Sequence, residues 1–157
     1  MKYKHILNIV KEEFKANLYG AHGITHWLNV YRNTKILSSH YNIQSDVFEL
    51  FSILHDSKRE NDYKDKDHPI RAYNFTRKLI SKKLIKLSKK EEKILLFAIK
   101  NHSITHPQGK MINNLIVKIC LDSDRLDLIR VGINPDPQFL FTDYAKEICK
   151  WNLFNLI

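Results

Sequence analysis

The sequence is short of the residues that break a chain into strands and tight turns. Glycine and proline number only four each among 157 residues. An all-β protein needs many turns, and these two residues dominate turns, so their scarcity favours helices. Cysteine is also scarce. Cys120 and Cys149 form neither a disulfide framework nor a zinc knuckle, and Cys120, within an apolar run, is expected to be a buried thiol.

The sequence also lacks a long apolar segment. No apolar run approaches the roughly 20 residues that a helix needs to cross a bilayer. The N-terminal stretch MKYKHILNIVKEEF is amphipathic and soon acidic, unlike a secretory signal. These features predict a soluble, cytoplasmic protein with no membrane partner.

What the chain does have is a normal apolar fraction and an excess of positive charge. Hydrophobic residues make up 43%, and the length suffices for one domain with a core, here residues 1–157. The net charge of +9 suggests an anionic partner such as a phosphorylated metabolite, a nucleotide or nucleic acid. Much of this charge lies between Lys78 and Lys93, where a solvated helix face is the simpler explanation.

Hydrophobic periodicity and capping residues predict an all-α, single-domain helical bundle. Helices are predicted over 2–18, from His26 onward, over 45–56, from His68 onward, over 88–101, over 111–130 with a bend near Ser123, and over 142–151. Thr25 and Ser45 are expected N-caps, Ser88 and Glu91 a capping box, and Pro69 a first-turn proline. Residues 132–137 are expected to form a loop. The apolar tail WNLFNLI either packs on the core or meets another subunit, which leaves oligomerisation open.

Two apolar helices are predicted to end in acids. The run VFELFSILHD ends in His55 and Asp56, and LIVKICLDSD delivers Asp122 and Asp124. An ionised carboxylate at the edge of a core needs an ion pair or a metal. His26 lies one helical turn before Val30, so its side chain is expected to face the same buried side of the helix as Val30. Such mixed imidazole and carboxylate ligands suit Mn, Fe, Co, Ni or Zn rather than calcium.

This ordered set resembles the HD domain superfamily of metal-dependent phosphohydrolases. The matching strings are HGITHWLNV with His26, FSILHDSKREND with His55 and Asp56, and LDSDRLDL with Asp124. The resemblance spans roughly residues 20–130 and implies an all-helical fold. It also implies four metal ligands, His26, His55, Asp56 and Asp124, with Asp122 as the fallback for the last one. A narrower likeness, to small stand-alone HD proteins, includes residues 130–137.

The resemblance also extends to two further histidines. His68 in DHPIRAY and His102 in IKNHSITH fall where HD members with two metals carry extra ligands. They are therefore candidates for a second metal site, the alternatives being phosphate binding or no role. Two ions about 3.5–4 Å apart can clamp a phosphoryl group. His22 is a weaker candidate for the site, because a position in a flexible loop beside Gly23 is the simplest explanation for this histidine.

The mechanism implied is attack by water that the metal activates. Lys58, Arg59 and Arg71 are candidates for binding the substrate phosphate. In the alarmone hydrolases of this superfamily a Glu-Asp pair after the HD doublet positions the water. Here Arg59 and Glu60 stand at those positions, so Glu60 is a half-matched catalytic candidate, and the alternative is a solvated loop.

The function predicted is hydrolysis of a small phosphorylated molecule, with a nucleotide favoured, by a phosphomonoesterase or phosphodiesterase. One alternative is an HD-type oxygenase that uses two irons. A second alternative is a non-catalytic, basic nucleic-acid-binding module, which ranks last because it leaves the histidines and acids unexplained. Its phosphate contacts would come from Lys82, Lys83, Lys86, Lys89, Lys90 and Lys93.

Overall fold

The structure is a computed structural model that describes the backbone of residues 1–154 and the side chains of residues 1–150. This part of the chain is helical and contains no strand, as expected. Its α-helices are α1 (Lys4–Glu13), α2 (Ile24–His40), α3 (Val47–Leu54), α4 (His68–Ser81), α5 (Lys89–Asn101), α6 (Leu115–Leu126) and α7 (Asp143–Phe154). Short 3-10 helices cover Lys110–Asn113, Asp127–Val131 and Pro137–Phe139. None of the described helices is both long and apolar enough to span a membrane.

Helix α3 lies at the centre of the bundle. All eight of its residues are buried, and it contacts α1, α2, α5 and α6. Its sequence VFELFSIL is apolar on nearly every face, which suits a helix enclosed on all sides. Consequently the residues directly after it, His55 and Asp56, emerge inside the bundle rather than at its surface.

The start of α2 differs from the prediction. Gly23 rather than Thr25 is the N-cap, and Thr25 lies within the helix. The chain approaches itself closely here: the Ile24 amide donates to the Leu18 carbonyl at 2.9 Å, and a Cβ on Gly23 would lie 1.9 Å from that oxygen. Only glycine fits, so the geometry of this turn sets the helix start. Helix α1 ends at Glu13 instead of continuing to residue 18, because Phe14 adopts an extended backbone conformation.

The expected capping box and first-turn proline are confirmed. Ser88 and Glu91 form the capping box of α5, and Pro69 lies in the first turn of α4. The Thr142 hydroxyl accepts from the Ala145 amide at 3.4 Å at the start of α7. Ser45 accepts from the Val47 amide at 3.2 Å, although Asp46 is the N-cap of α3.

The predicted helix over 111–130 is divided into three. Asn114, whose side chain accepts from the Ile116 amide at 3.0 Å, caps α6 after the first 3-10 helix. The bend falls after Leu126 rather than at Ser123, where 3-10 geometry replaces the α-helix. Helix α7 runs to Phe154, past the expected end at residue 151. The prediction for the tail WNLFNLI falls outside the described side chains.

Candidate metal centre

Four side chains predicted as metal ligands converge in the core. His26 lies in the first turn of α2, His55 and Asp56 follow α3, and Asp124 lies near the end of α6. His26 Nε2 is 2.9 Å from His55 Nε2 and 3.3 Å from Asp124 Oδ1, and His55 Nε2 is 3.6 Å from that oxygen. Asp56 Oδ2 lies 3.6 Å from His26 Nε2. We call these four residues the first group.

The two further histidines form a second group with Asp56. His68 begins α4 and His102 directly follows α5. Their Nε2 atoms are 2.9 Å apart. Asp56 Oδ1 lies 3.1 Å from His68 Nε2 and 3.3 Å from His102 Nε2. Asp56 therefore belongs to both groups, with one oxygen turned toward each.

All four histidines are oriented by hydrogen bonds at Nδ1. The acceptors are Asp127 Oδ2 for His26, the Phe51 carbonyl for His55, the Asp65 carbonyl for His68 and the Ile99 carbonyl for His102. These acceptors favour a proton on Nδ1, so that in each neutral imidazole the lone pair is on Nε2. The Nε2 atoms of each histidine pair, 2.9 Å apart, would then repel each other unless a cation lay between them.

The donor set fits a metal ion better than a proton. A proton can be shared by only two atoms, whereas three or more converge in each group. Donor atoms about 2.0–2.2 Å from one ion, at ordinary coordination angles, lie about 2.8–3.6 Å apart. The separations of His26, His55 and Asp124 run from 2.9 to 3.6 Å, within that range. Those of the second group run from 2.9 to 3.3 Å.

The electrostatics of the centre also favour a bound cation. Burial opposes charge on His26, yet hydrogen bonds to Asp124 and Asp127 raise its pKa to about 9. Burial lowers the pKa of His55 to about 3, so His55 stays neutral. Burial works against ionisation of Asp56 and Asp124, but the neighbouring histidines hold the pKa of both carboxyls below the usual value. Both acids are thus anionic at neutral pH, and His26 carries a proton beside them, a positive charge that a bound metal cation would replace.

Asp127 supports the first group and was missed by the sequence analysis. Its Oδ2 accepts from His26 Nδ1 at 2.7 Å, and its Oδ1 accepts from Asn29 Nδ2 at 2.9 Å. Arg130 Nη1 lies 3.3 Å from the same Oδ2. Carboxylates that orient metal-binding imidazoles in this way raise the basicity of the ligand. The only signal in the sequence was its place three residues after Asp124.

A cavity of about 380 Å³ opens onto the centre. Five of the metal-ligand candidates line it: His26, Asp56, His68, His102 and Asp124. The wall also carries cationic side chains and an apolar section. They are Arg59, Arg125, Arg130, Ile104, Leu128, Pro135, Phe139 and Leu140. The cavity thus offers both charged and apolar side chains to a small molecule.

Of the three cations predicted to bind phosphate, only Arg59 lines the cavity. Lys58 pairs with Glu13 and lies 3.9 Å over the Phe75 ring, turned away from the centre. Arg71 is held by both Asp65 oxygens at 2.6 Å. Neither side chain can reach a ligand in the cavity without breaking these contacts. Local sequence could not show this, since Lys58 and Arg59 are adjacent and only packing distinguishes them.

The structure does not bring Glu60 to the cavity either. Its carboxylate is half-exposed and pairs with Lys15 at 3.1 Å, with Arg71 at 4.0 Å. The backbone turns after Asp56 and carries residue 60 to the surface. The catalytic role predicted for Glu60 therefore has no geometric support, and the alternative of a solvated loop describes its position.

Asp122, the fallback ligand, has a structural role on another face of α6. Its Oδ1 accepts from the Phe141 amide at 2.8 Å, and its Oδ2 accepts from the Thr142 amide at 2.8 Å and hydroxyl at 2.6 Å. It fastens the start of α7 to α6. Of the two aspartates, Asp124 is therefore the one that lies in the candidate metal centre.

His22, the weaker candidate, lines the cavity. Its Nδ1 is 3.2 Å from Asp62 Oδ1, and its amide donates to the same oxygen at 3.3 Å. Burial lowers its pKa. The loop that contains Gly23 therefore presents His22 to the cavity in a fixed orientation, close to the first group, with ring centroids of His22 and His26 6.1 Å apart.

Comparison with solved structures identifies the fold. The chain superposes with a TM-score of 0.73 on a crystal structure described as a predicted HD superfamily hydrolase from an uncultured Thermotogales bacterium. The two sequences are 22% identical, and the match covers 98% of this chain and 86% of the other. No protein-family model matches the chain, and no curated protein matches it either. The protein therefore has the all-α HD-domain fold, which confirms the fold expected from its motifs.

Proposed function

We propose that the protein is a metal-dependent hydrolase that attacks a small phosphorylated molecule, with a nucleotide as the favoured substrate. The observation that carries this proposal is the shared carboxylate of Asp56, with one oxygen facing each of two histidine pairs. The similarity in fold to a protein described as an HD hydrolase is consistent with it. Bound divalent ions would activate water and polarise a phosphoryl group.

The protein's own residues would prepare this chemistry. His26, His55 and Asp124 would hold one ion, His68 and His102 a second, and Asp56 would contact both. The hydrogen bonds at Nδ1 keep the imidazoles oriented, so little reorganisation is needed when an ion or substrate binds. Arg59, in the cavity wall, would bind a phosphate oxygen.

The cavity suggests where the rest of the substrate would lie. The section formed by Ile104, Leu128 and Phe139 would contact the organic part of the molecule. A planar, weakly polar group such as a nucleobase suits such a wall. A volume of about 380 Å³ fits a small metabolite and not a folded partner.

The test combines metal analysis with an activity screen. Wild-type protein and Asp56→Ala would be analysed for bound transition metals, then assayed with Mn²⁺, Co²⁺ or Ni²⁺ on phosphomonoesters, phosphodiesters and nucleotides. The proposal expects bound metal and turnover in the wild type, and loss of both in Asp56→Ala. Metal-free wild type with no turnover on the whole panel would refute it.

A second candidate function is favoured by the second histidine pair. The groups around Asp56 provide four imidazoles and two carboxylates, a ligand set that also suits two irons. In that case the protein would be an oxygenase. Iron bound after aerobic purification, together with inactivity on every phosphoester, would favour this candidate over hydrolysis.

A further inference from the structure

The two oxygens of Asp56 have different surroundings. Oδ2 faces the first group, near His26. Oδ1 faces the second group, and it also accepts a hydrogen bond from Arg59 Nε at 3.2 Å. The guanidinium and the two histidines of the second group thus approach the same carboxylate oxygen.

We propose that Arg59 weakens cation binding at the second group, and that a phosphate anion in the cavity relieves this inhibition by drawing the guanidinium away from Asp56. The inference rests on the proposed function, because it takes the cavity to bind a phosphorylated ligand. It makes occupancy of the second site dependent on the substrate.

The charges of the two groups differ in the direction that this proposal requires. The first group has two carboxylates, Asp56 and Asp124, and a third, Asp127, behind His26. The second group has only the shared carboxylate of Asp56. The Arg59 guanidinium occupies a lone pair of Asp56 Oδ1, and its positive charge repels an incoming cation. The second site should therefore have the lower affinity.

Arg59 is also the cavity arginine best placed to change partner. Arg125 donates to the Ile104 carbonyl at 2.7 Å and also to the Phe139 carbonyl. Arg130 donates to the Ala21 carbonyl at 2.7 Å and pairs with Asp127. These two arginines fasten loops together.

By contrast, Arg59 makes a single-point contact with Asp56 and a contact of 3.3 Å with the Tyr63 carbonyl. A phosphate offers a guanidinium two parallel hydrogen bonds, which are stronger than one. Moving the Arg59 head group to a phosphate would therefore replace one charge-assisted hydrogen bond with two. It would also free Asp56 Oδ1 for a cation.

Thermodynamic linkage makes the effect reciprocal. If phosphate raises the affinity of the second site for a cation, the cation raises the affinity for phosphate by the same factor. Couplings of this kind are commonly on the order of tenfold. The consequence is that the site with two ions would assemble mainly when substrate is present.

The experiment measures Mn²⁺ binding by equilibrium dialysis at equal free Mn²⁺, with and without inorganic phosphate. The variants are Arg59→Met, Arg59→Gln as a second neutral replacement, and Lys58→Met as the matched control on the adjacent cation. His102→Ala identifies which ion belongs to the second group. Electron paramagnetic resonance of the Mn²⁺ forms reports independently whether two ions are close enough to couple.

We expect wild type and Lys58→Met to bind one Mn²⁺ tightly, and to bind a second about tenfold more tightly when phosphate is added. Both Arg59 variants should bind the second ion about tenfold more tightly without phosphate, and phosphate should then add little. His102→Ala should bind no second ion. Circular dichroism would verify that each variant is folded.

The inference is overturned if the second dissociation constant is the same in wild type and both Arg59 variants. It is also overturned if phosphate acts equally in all of them, or if wild type never binds a second ion. Its failure is separable from that of the proposed function. Phosphoester turnover without this coupling would remove only the inference, whereas coupling without any turnover would remove only the hydrolase.

Discussion

Asp127→Asn should weaken binding of the first metal ion although the residue touches no ion itself. The Asp127 carboxylate is buried and accepts from His26 Nδ1 at 2.7 Å. Asparagine keeps the shape of the side chain and one acceptor oxygen, which can still face His26. Its NH₂ group then faces Asn29, and the Asn29 side-chain amide can rotate so that its oxygen accepts. The main loss is therefore the negative charge that makes the His26 imidazole a more basic metal ligand.

The size of the effect follows from what carboxylates of this kind contribute. Removing such a partner costs about 10–100-fold in metal affinity. Asp127→Asn, which retains a hydrogen bond, should lie near tenfold, or about 1.4 kcal/mol. Asp127→Ala leaves the imidazole without its partner and should lie near 100-fold, about 2.7 kcal/mol.

The assay is a Co²⁺ titration followed by absorption spectroscopy, which reports both the dissociation constant and the ligand geometry. Asp143→Asn, at a side chain that is 93% exposed, is the matched control and should bind like wild type. Thermal unfolding of the metal-free proteins would show that the variants fold. Equal Co²⁺ affinity in wild type, Asp127→Asn and Asp127→Ala would refute the reasoning.

Three further outcomes are expected. Mn²⁺ at about 100 times its dissociation constant should stabilise the protein by about 2.7 kcal/mol, which raises the unfolding midpoint of a domain of this size by about 5–11 °C. Asp124→Asn should lose most of this gain. A gain equal to that of wild type would count against Asp124 as a ligand. Burial opposes ionisation of Asp65, but the Glu60 amide and Arg71 lower its pKa, so the stability it contributes is present above the unfolded pKa of about 3.9 and is lost as pH falls through the folded value. In urea unfolding of chelator-treated protein, Asp65→Asn should be less stable than wild type at pH 7, and the difference should shrink in acid. A difference that does not change with pH would contradict this assignment. Gly23→Ala should destabilise by about 1–3 kcal/mol, because its Cβ would lie 1.9 Å from the Leu18 carbonyl oxygen; an unfolding midpoint unchanged from wild type would show that the loop rearranges freely.

The helical class was predictable because its signals are local. Scarce glycine and proline, apolar periodicity, and the Ser88–Glu91 capping box each depend on residues within one or two turns. The errors also have a local cause. Thr25 has the right chemistry for an N-cap, but the close approach of Gly23 to Leu18 places the helix start earlier. That approach is a contact within the turn before the helix, so the residues of the helix itself carry no signature of it.

The candidate ligands were predictable as a set, with His68 and His102 as candidates for a second site, whereas the sharing of Asp56 between the two groups was not. His26, His55, Asp56 and Asp124 could be chosen from their residue types and their order along the chain. Which oxygen of Asp56 faces which histidine depends on how α2, α3, α4 and α5 pack. The same packing separates Arg59, in the cavity wall, from Lys58 beside it in sequence.

The sequence by itself determined the helices, their main caps and the chemical character of the ligands, because these depend on neighbouring residues and on side-chain type. Only the tertiary structure decided that His26 meets Asp127, 101 residues away, that Asp56 lies between two histidine pairs, and that Glu60 is turned to the surface. The physical reason is that coordination and ion pairing fall off within a few ångströms. Distances of that size between remote residues are set by how whole helices pack around α3, which no local pattern specifies.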